Sequence, residues 1–124
     1  MPLTKAEIET QTIAIVDKQL AAYNNRDIEA FAATYHDDVE IYNIPGGLVY
    51  KGKAELIKRY GTKFSDLVYL NAKSLARIVN GNNLVDKELA ESASSVPDQI
   101  DNSVVVIASY QVVDGLIKSV SFMR

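Results

Sequence analysis

The sequence contains no cysteine and only one histidine among its 124 residues. The absence of cysteine excludes disulfide bonds, thiolate zinc sites and cysteine nucleophiles. A single histidine also excludes a metal site built from several histidines within one chain. The six glycines form no nucleotide-binding fingerprint. We therefore expect neither a metal nor another cofactor.

An excess of positive charge and long apolar runs are also missing. The chain carries 13 Lys and Arg against 16 Asp and Glu, which gives a net charge of −3. The protein therefore has no excess positive charge to attract nucleic acid or an anionic membrane. No apolar stretch reaches the roughly 18 residues of a membrane-spanning helix. The first residues, MPLTKAEIE, lack the apolar segment of a signal peptide. These observations predict a cytoplasmic protein that binds neither nucleic acid nor membrane.

The composition that is present is typical of a globular protein. Hydrophobic residues make up 48% of the chain and charged residues 23%, ordinary proportions for a folded domain. The length is that of one domain, and no linker or low-complexity segment divides the sequence. We therefore predict a single domain spanning residues 1–124.

The first half of the chain has helical patterns. Thr4 and Glu7 have the spacing of a capping box, in which each side chain binds a free amide at a helix start. Asp27 is placed to begin a second, short helix, which we expect to end at Asp37–Asp38. A third helix should follow Gly52. Its predicted inner stripe is Leu56, Ile57, Tyr60 and Phe64.

In the second half of the chain, apolar and polar residues alternate with the period of two that is typical of strands. Residues 39–43 already predict one strand, and Asp114–Gly115 between two apolar runs is a strong hairpin signal. Helices followed by an antiparallel meander indicate an α+β fold, with the helices on one face of a strongly curved sheet. Such a cone should hold a pocket at its mouth, and a second subunit is expected to cover the other face of the sheet. The later predicted strands are 67–79, 84–92, 104–113 and 116–123.

Three segments resemble the nuclear-transport-factor-2-like superfamily, particularly its ketosteroid isomerase and SnoaL-like branch. They are AAYNNRDIEAFAATYHDDVEIYN with the following PGG, GKAELIKRYG, and the closing VVVIASYQVVDGLIKSVSFMR. The resemblance implies a cystatin-like cone of three N-terminal helices in a curved, mainly antiparallel sheet. It also implies an apolar pocket and a homodimer. Many activities use this scaffold, so the resemblance indicates the fold more specifically than the function.

The resemblance also identifies what the isomerase site lacks here. The family's base, an aspartate at the end of the first strand, falls on Asn43, which accepts no proton at neutral pH. The tyrosine that stabilises the oxyanion falls on Gln19, and a protonated aspartic acid of the penultimate strand falls on Ala108. Two supporting tyrosines are kept at Tyr35 and Tyr60. Steroid isomerisation by that mechanism is therefore not expected.

Asp86 and Glu88 are the candidate catalytic residues. They lie two apart on a predicted strand and so share one face, which points into the pocket by the family's register. Two carboxylates in a poorly solvated cavity repel each other and raise one pKa, as general acid–base catalysis requires. In the alternative interpretation, this face is exposed and both carboxylates are simply hydrated. Arg77 could pair with either carboxylate across the hairpin as a structural ion pair.

The candidate ligand-binding residues are polar side chains expected around the same pocket. Asn43 could bind a ligand carbonyl or instead end a strand, and Tyr110 should point inward beside Ala108. The function predicted is therefore an apolar small-molecule pocket, which could belong to a cofactor-free isomerase, cyclase or hydratase. The alternative is a non-catalytic ligand-binding or dimerisation module. The predicted ligand-binding set is Asn43, Gln19, Tyr110, Tyr60 and Tyr35.

Overall fold

The computed structural model describes residues 2–124 and contains three helices and six strands. The helices lie in the first half and most strands in the second, and the predicted α+β fold is confirmed. The capping box is present, because the Thr4 hydroxyl accepts from the Glu7 amide at 3.1 Å and Glu7 Oε1 accepts from the Thr4 amide at 3.0 Å. The elements are α1 Lys5–Asn24, α2 Ile28–Ala32, β1 Tyr35–Asn43, β2 Gly47–Lys51, α3 Lys53–Asp66, β3 Tyr69–Asn80, β4 Asn83–Ala93, β5 Asn102–Val113 and β6 Leu116–Met123.

The six strands form one curved sheet in the order β2-β1-β6-β5-β4-β3. All neighbouring pairs are antiparallel except β1 and β6, which run parallel. The β5–β6 hairpin turns at Asp114–Gly115, where both residues have positive φ angles, 52° and 81°. That geometry is the one a tight two-residue hairpin turn requires. The helices pack on the inner face of the sheet.

Three details differ from the sequence prediction. Helix α2 ends at Ala32, and Asp37–Asp38 lies inside β1, because Tyr35 already pairs with Ile117 of β6. Strand β2 was not predicted, since its residues are mostly exposed and lack strong alternation. Ile57 is 41% exposed rather than part of the inner stripe of α3.

An aromatic cluster holds the three helices together. Tyr23 of α1, Phe31 of α2 and Tyr60 and Phe64 of α3 lie with ring centroids between 4.6 and 6.3 Å apart. The ring of Tyr35 of β1 lies 5.1 Å from that of Phe31, at an interplanar angle of 52°. Such contacts add to the hydrophobic gain of burial. The cluster fixes the helix faces that look towards the sheet.

A side-chain amide joins α1 to the edge of the sheet. Asn24 donates to the Ala72 carbonyl at 3.0 Å and accepts from the Ala72 amide at 2.7 Å. The amide thus pairs with the backbone of β3, an edge strand. This contact fixes the distance between α1 and the sheet at the place where a cavity opens.

None of the helices within residues 2–124 is long and apolar enough to cross a membrane. The cytoplasmic location stays a prediction.

Candidate functional site

A cavity of about 170 Å³ lies between helices α1 and α3 and the inner face of the sheet. We call it the inner pocket. An engineered apolar cavity of roughly 150 Å³ holds benzene, so the inner pocket has room for about one ring. Aliphatic side chains of the sheet, such as Val104 and Val106, form part of its wall. The polar side chains in its lining include Gln19, Tyr23, Tyr60, Lys63, Glu88 and Tyr110.

Glu88 is a buried carboxyl group at the wall of the inner pocket. The residue is only 5% exposed, and the Tyr110 hydroxyl donates a hydrogen bond to its Oε2 atom at 2.8 Å. Burial raises the pKa of Glu88 to about 7. The hydrogen bond from Tyr110 lowers this pKa and the neighbouring Asp86 carboxylate raises it. The carboxyl group is therefore balanced between its two protonation states near neutral pH.

Asp86 lies on the same face of β4, but a structural ion pair holds it. Its side chain is 0% exposed. Arg77 binds both carboxylate oxygens, with Nε at 2.7 Å from Oδ1 and Nη2 at 2.9 Å from Oδ2. The predicted pairing of Arg77 across the hairpin is confirmed. Ser74 donates a further hydrogen bond at 3.0 Å, and Asp86 is not among the residues that line the inner pocket.

Gln19 presents an unsatisfied acceptor at the pocket. The residue is 5% exposed, and its Oε1 atom has no hydrogen-bond partner within residues 2–124. Its side-chain amide lowers the pKa of Tyr35, which burial otherwise raises well above the usual value. Buried polar atoms are nearly always paired with protein, water or ligand. Gln19 Oε1 is therefore available to a donor inside the pocket.

Tyr23 and Tyr60 supply the phenol groups of the opposite wall. Burial, reinforced by the charge of Glu88, raises the pKa of Tyr23 to about 12. Burial also raises the pKa of Tyr60 above its usual value. Both phenols consequently stay protonated at neutral pH and can donate hydrogen bonds.

Asn43 lies in a second cavity of about 220 Å³, the outer pocket. The sequence placed Asn43 beside Tyr110, but the structure places them in different pockets. Side chains contributed by α3 and the end of β6 line both pockets and so form their common boundary. They are Tyr60, Lys63, Phe122 and Arg124.

Lys63 is one of the polar pocket residues that the sequence interpretation missed. Its Nζ atom lies 5.2 Å from the ring centroid of Tyr23 and 5.9 Å from that of Tyr60. Burial lowers the pKa of Lys63, and the positive charge of Arg124 lowers it further. Lys63 follows Tyr60 by three residues on a helix, and this spacing predicts that the two side chains share a face.

Within residues 2–124, no group of three or more His, Cys, Asp or Glu side chains is arranged to hold a metal ion.

The sequence profile of the SnoaL-like domain family matches residues 16–120. No curated protein sequence matches the chain. Among solved structures, a cystatin-fold protein from Novosphingobium aromaticivorans superposes with a TM-score of 0.79 at 20% identity, covering 91% of this chain and 97% of that one. A Delta 5-3-ketosteroid isomerase from Mycobacterium sp. gives 0.77 at 21%, with 90% and 91% covered. An LEH-like epoxide hydrolase from Mycobacterium tuberculosis gives 0.76 at 18%, with 93% and 83% covered.

Proposed function

Since the chain belongs to the SnoaL-like domain family, we propose that it is a cofactor-free proton-transfer enzyme of the isomerase or cyclase type. Its substrate is a small, mainly apolar compound that is acidic at a carbon next to a carbonyl group. Glu88 is the proposed general base and acid. The observation that carries this proposal is a buried glutamate at the wall of a ligand-sized cavity.

The chemistry of Glu88 suits proton transfer in both directions. A general base works best when its pKa lies near the working pH, and the pKa of Glu88 is about 7. As a carboxylate it takes a proton from the substrate carbon, and as a carboxylic acid it returns that proton to another atom of the enolate. The Tyr110 hydroxyl, 2.8 Å from Glu88 Oε2, holds the carboxyl group in one orientation.

The developing oxyanion needs hydrogen-bond donors, and Tyr60 and Tyr23 are the phenols that line the cavity beside Glu88. The free atom of Gln19 is an acceptor, so we assign Gln19 to binding a hydroxyl group of the ligand. Tyr35 acts through Gln19, because the side-chain amide of Gln19 interacts with its hydroxyl and lowers its pKa. In this assignment Tyr110 and Tyr35 are positioning residues.

Asp86 has a different proposed role from that of Glu88. Its two oxygens are bound by Arg77, and breaking that pair would leave a buried charge. Asp86 therefore acts through its negative charge, which favours the protonated form of Glu88. It positions and tunes the base without touching the substrate.

Deuterium incorporation tests the proposal without knowledge of the natural substrate. One-ring ketones such as acetophenone and cyclohexanone are incubated with the protein in D₂O, and loss of the α-proton signal is followed by NMR. We expect the wild type to accelerate exchange of at least one ketone more than tenfold over Glu88→Gln. Glu29→Gln, an exposed control on α2, should match the wild type. Equal rates for the wild type and Glu88→Gln would instead favour a non-catalytic ligand-binding protein.

We also propose that the protein is a homodimer through the outer face of the sheet. The register aligns Ile78 with Val85, and Leu89 with Val105, on the face opposite Asp86 and Glu88. Ile78 is 72% exposed and Val105 46%. An exposed apolar face of this kind is typical of an interface, and a twofold axis lets one surface pair with its own copy.

A further inference from the structure

Two cations lie at the boundary between the inner and outer pockets without an acidic partner. Neither Lys63 nor Arg124 takes part in an ion pair with any residue in the range 2–124. Instead, the Lys63 ammonium lies over the rings of Tyr23 and Tyr60. A contact of this kind stabilises a cation only weakly at a partly exposed site. The two positive charges act on each other unfavourably.

The outer pocket is lined by cationic side chains that suit an anion. Within residues 2–124, no Asp or Glu side chain lines it, whereas Arg59, Lys63 and Arg124 all do. Arg59 is already neutralised by Glu55, whose Oε1 atom lies 2.9 Å from its Nε, and it lies over the ring of Tyr50 at 4.3 Å. The charge available to a ligand therefore belongs to Lys63 and Arg124.

The two pockets share the cations of their boundary but differ in their acidic side chains. The inner pocket includes the carboxyl group of Glu88 and the side chain of Glu91 in its lining, so an anion bound there would meet negative charge. A ligand that places its apolar, reacting part in the inner pocket and its anionic part in the outer pocket meets favourable groups in both. Tyr60 and Phe122 at the boundary provide the apolar surface between them.

From this geometry we propose that Lys63 and Arg124 bind a carboxylate group of the substrate. The substrate class is then a small carboxylic acid that carries its enolisable ketone at the far end, next to Glu88. The identity of the reacting end rests on the proposed function, but the anion site does not. Binding the carboxylate also brings a negative charge between two cations that otherwise repel each other.

Matched ligands test the inference. Calorimetric titration compares 4-acetylbenzoate with 4-acetylbenzamide, which has the same ring and ketone but no charge. We expect the acid to bind at least about tenfold more tightly, because a charge-assisted hydrogen bond is stronger than a neutral one. Lys63→Gln and Arg124→Gln should each remove most of this preference. Lys58→Gln, which removes an exposed charge from the same helix, should keep it.

Several results would overturn the anion site. These are equal binding of the acid and the amide, binding of neither, or a preference that survives in the double variant Lys63→Gln/Arg124→Gln. The proposed function fails in a different way. In that case wild-type protein binds the acid preferentially, but the acetyl protons exchange no faster than with Glu88→Gln. Exchange without a preference for the acid would reject the anion site alone.

Discussion

The Tyr110 hydroxyl donates to Glu88 across neighbouring strands, at 2.8 Å from Oε2. Tyr110 is 2% exposed and Glu88 5%, so the bond is made away from bulk water. The hydrogen bond favours the carboxylate, and the burial of Glu88 favours the carboxylic acid. Their opposition keeps both forms accessible near neutral pH.

The stability of the protein should fall as pH rises towards 8. The folded-state pKa of Glu88 is about 7, against an ordinary 4.5, so the folded state binds the proton more tightly than the unfolded state. The stabilisation from this proton is fully present below pH 4.5 and is lost as pH rises through about 7. We expect wild type to lose about 3 kcal/mol relative to Glu88→Gln over this range, measured by urea unfolding at pH 5 to 8. A pH-independent difference would contradict the buried titration.

Proton transfer should show a matching pH dependence. The rate of α-proton exchange should rise with pH through about 7 and then level off, because the base form of Glu88 is required. Tyr110→Phe removes a donor that stabilises this carboxylate, so the midpoint should move to higher pH. The control Tyr69→Phe, on an exposed residue, should leave it in place. An unchanged midpoint in Tyr110→Phe would show that the hydrogen bond does not set the pKa of the base.

Arg77→Met should destabilise the fold strongly. The substitution leaves Asp86, which is 0% exposed, without the guanidinium that binds both its oxygens. Removing one partner of a buried pair costs about 3–5 kcal/mol. The matched control is Asp17→Asn, which breaks the outer contact of Arg77; the Asp17 side chain is 57% exposed, and we expect a cost below about 1 kcal/mol. Comparable losses in chemical denaturation would mean that the two carboxylates are equally important.

Gln19→Met should separate binding from stability. Loss of the unpaired Oε1 atom removes a destabilising feature, whereas loss of the interaction between the Gln19 side-chain amide and Tyr35 adds one. We expect the free energy of unfolding to change by less than about 1 kcal/mol because the two effects offset each other. Affinity for hydroxylated one-ring ligands should fall in calorimetric titration, while the affinity for analogues without the hydroxyl group should stay the same. Equal losses for both ligands would point to a purely structural role.

Val105→Glu should yield a monomer. The residue is 46% exposed on the outer face of the sheet, and a charge there would be buried without a partner in the proposed dimer. Val96 lies in the loop between β4 and β5 and is 44% exposed, so Val96→Glu is a control of similar exposure. Light scattering after size exclusion should give twice the chain mass for wild type and the control. Wild type at the mass of one chain would contradict the interface.

Period-two alternation and turn residues predicted most of the strands. Asp114–Gly115 predicted the last hairpin, and alternation placed Asp86 and Glu88 on one face of β4, which the family resemblance predicted to point inward. Strand β2 was missed because a short, exposed edge strand has no buried face to produce alternation. Asp37–Asp38 was misread as a helix end because acidic pairs commonly interrupt helices. Instead, these residues lie in β1, where they contact Lys53 and Lys118.

The site was harder to predict than the fold, because it depends on distances between elements that are remote in sequence. The sequence indicates that Glu88 faces inward, but Tyr110 stands 22 positions away and their bond requires the register of β4 against β5. Asn43 and Tyr110 fall in different pockets because Tyr60 and Phe122 lie along the boundary. The volumes of these side chains determine where the boundary lies, and a residue pattern in the sequence does not predict it.

The position of β6 between β1 and β5 has a consequence for synthesis on the ribosome. The sheet order places Leu116–Met123, the last of these six strands in chain order, in the interior of the sheet. Until those residues emerge, β1 and β5 both present open edges, and β1–β2 has no strand linking it to the β3–β5 meander. Before β6 is available, the strands already made therefore belong to two separate parts of the sheet, and these become one when β6 pairs with both β1 and β5.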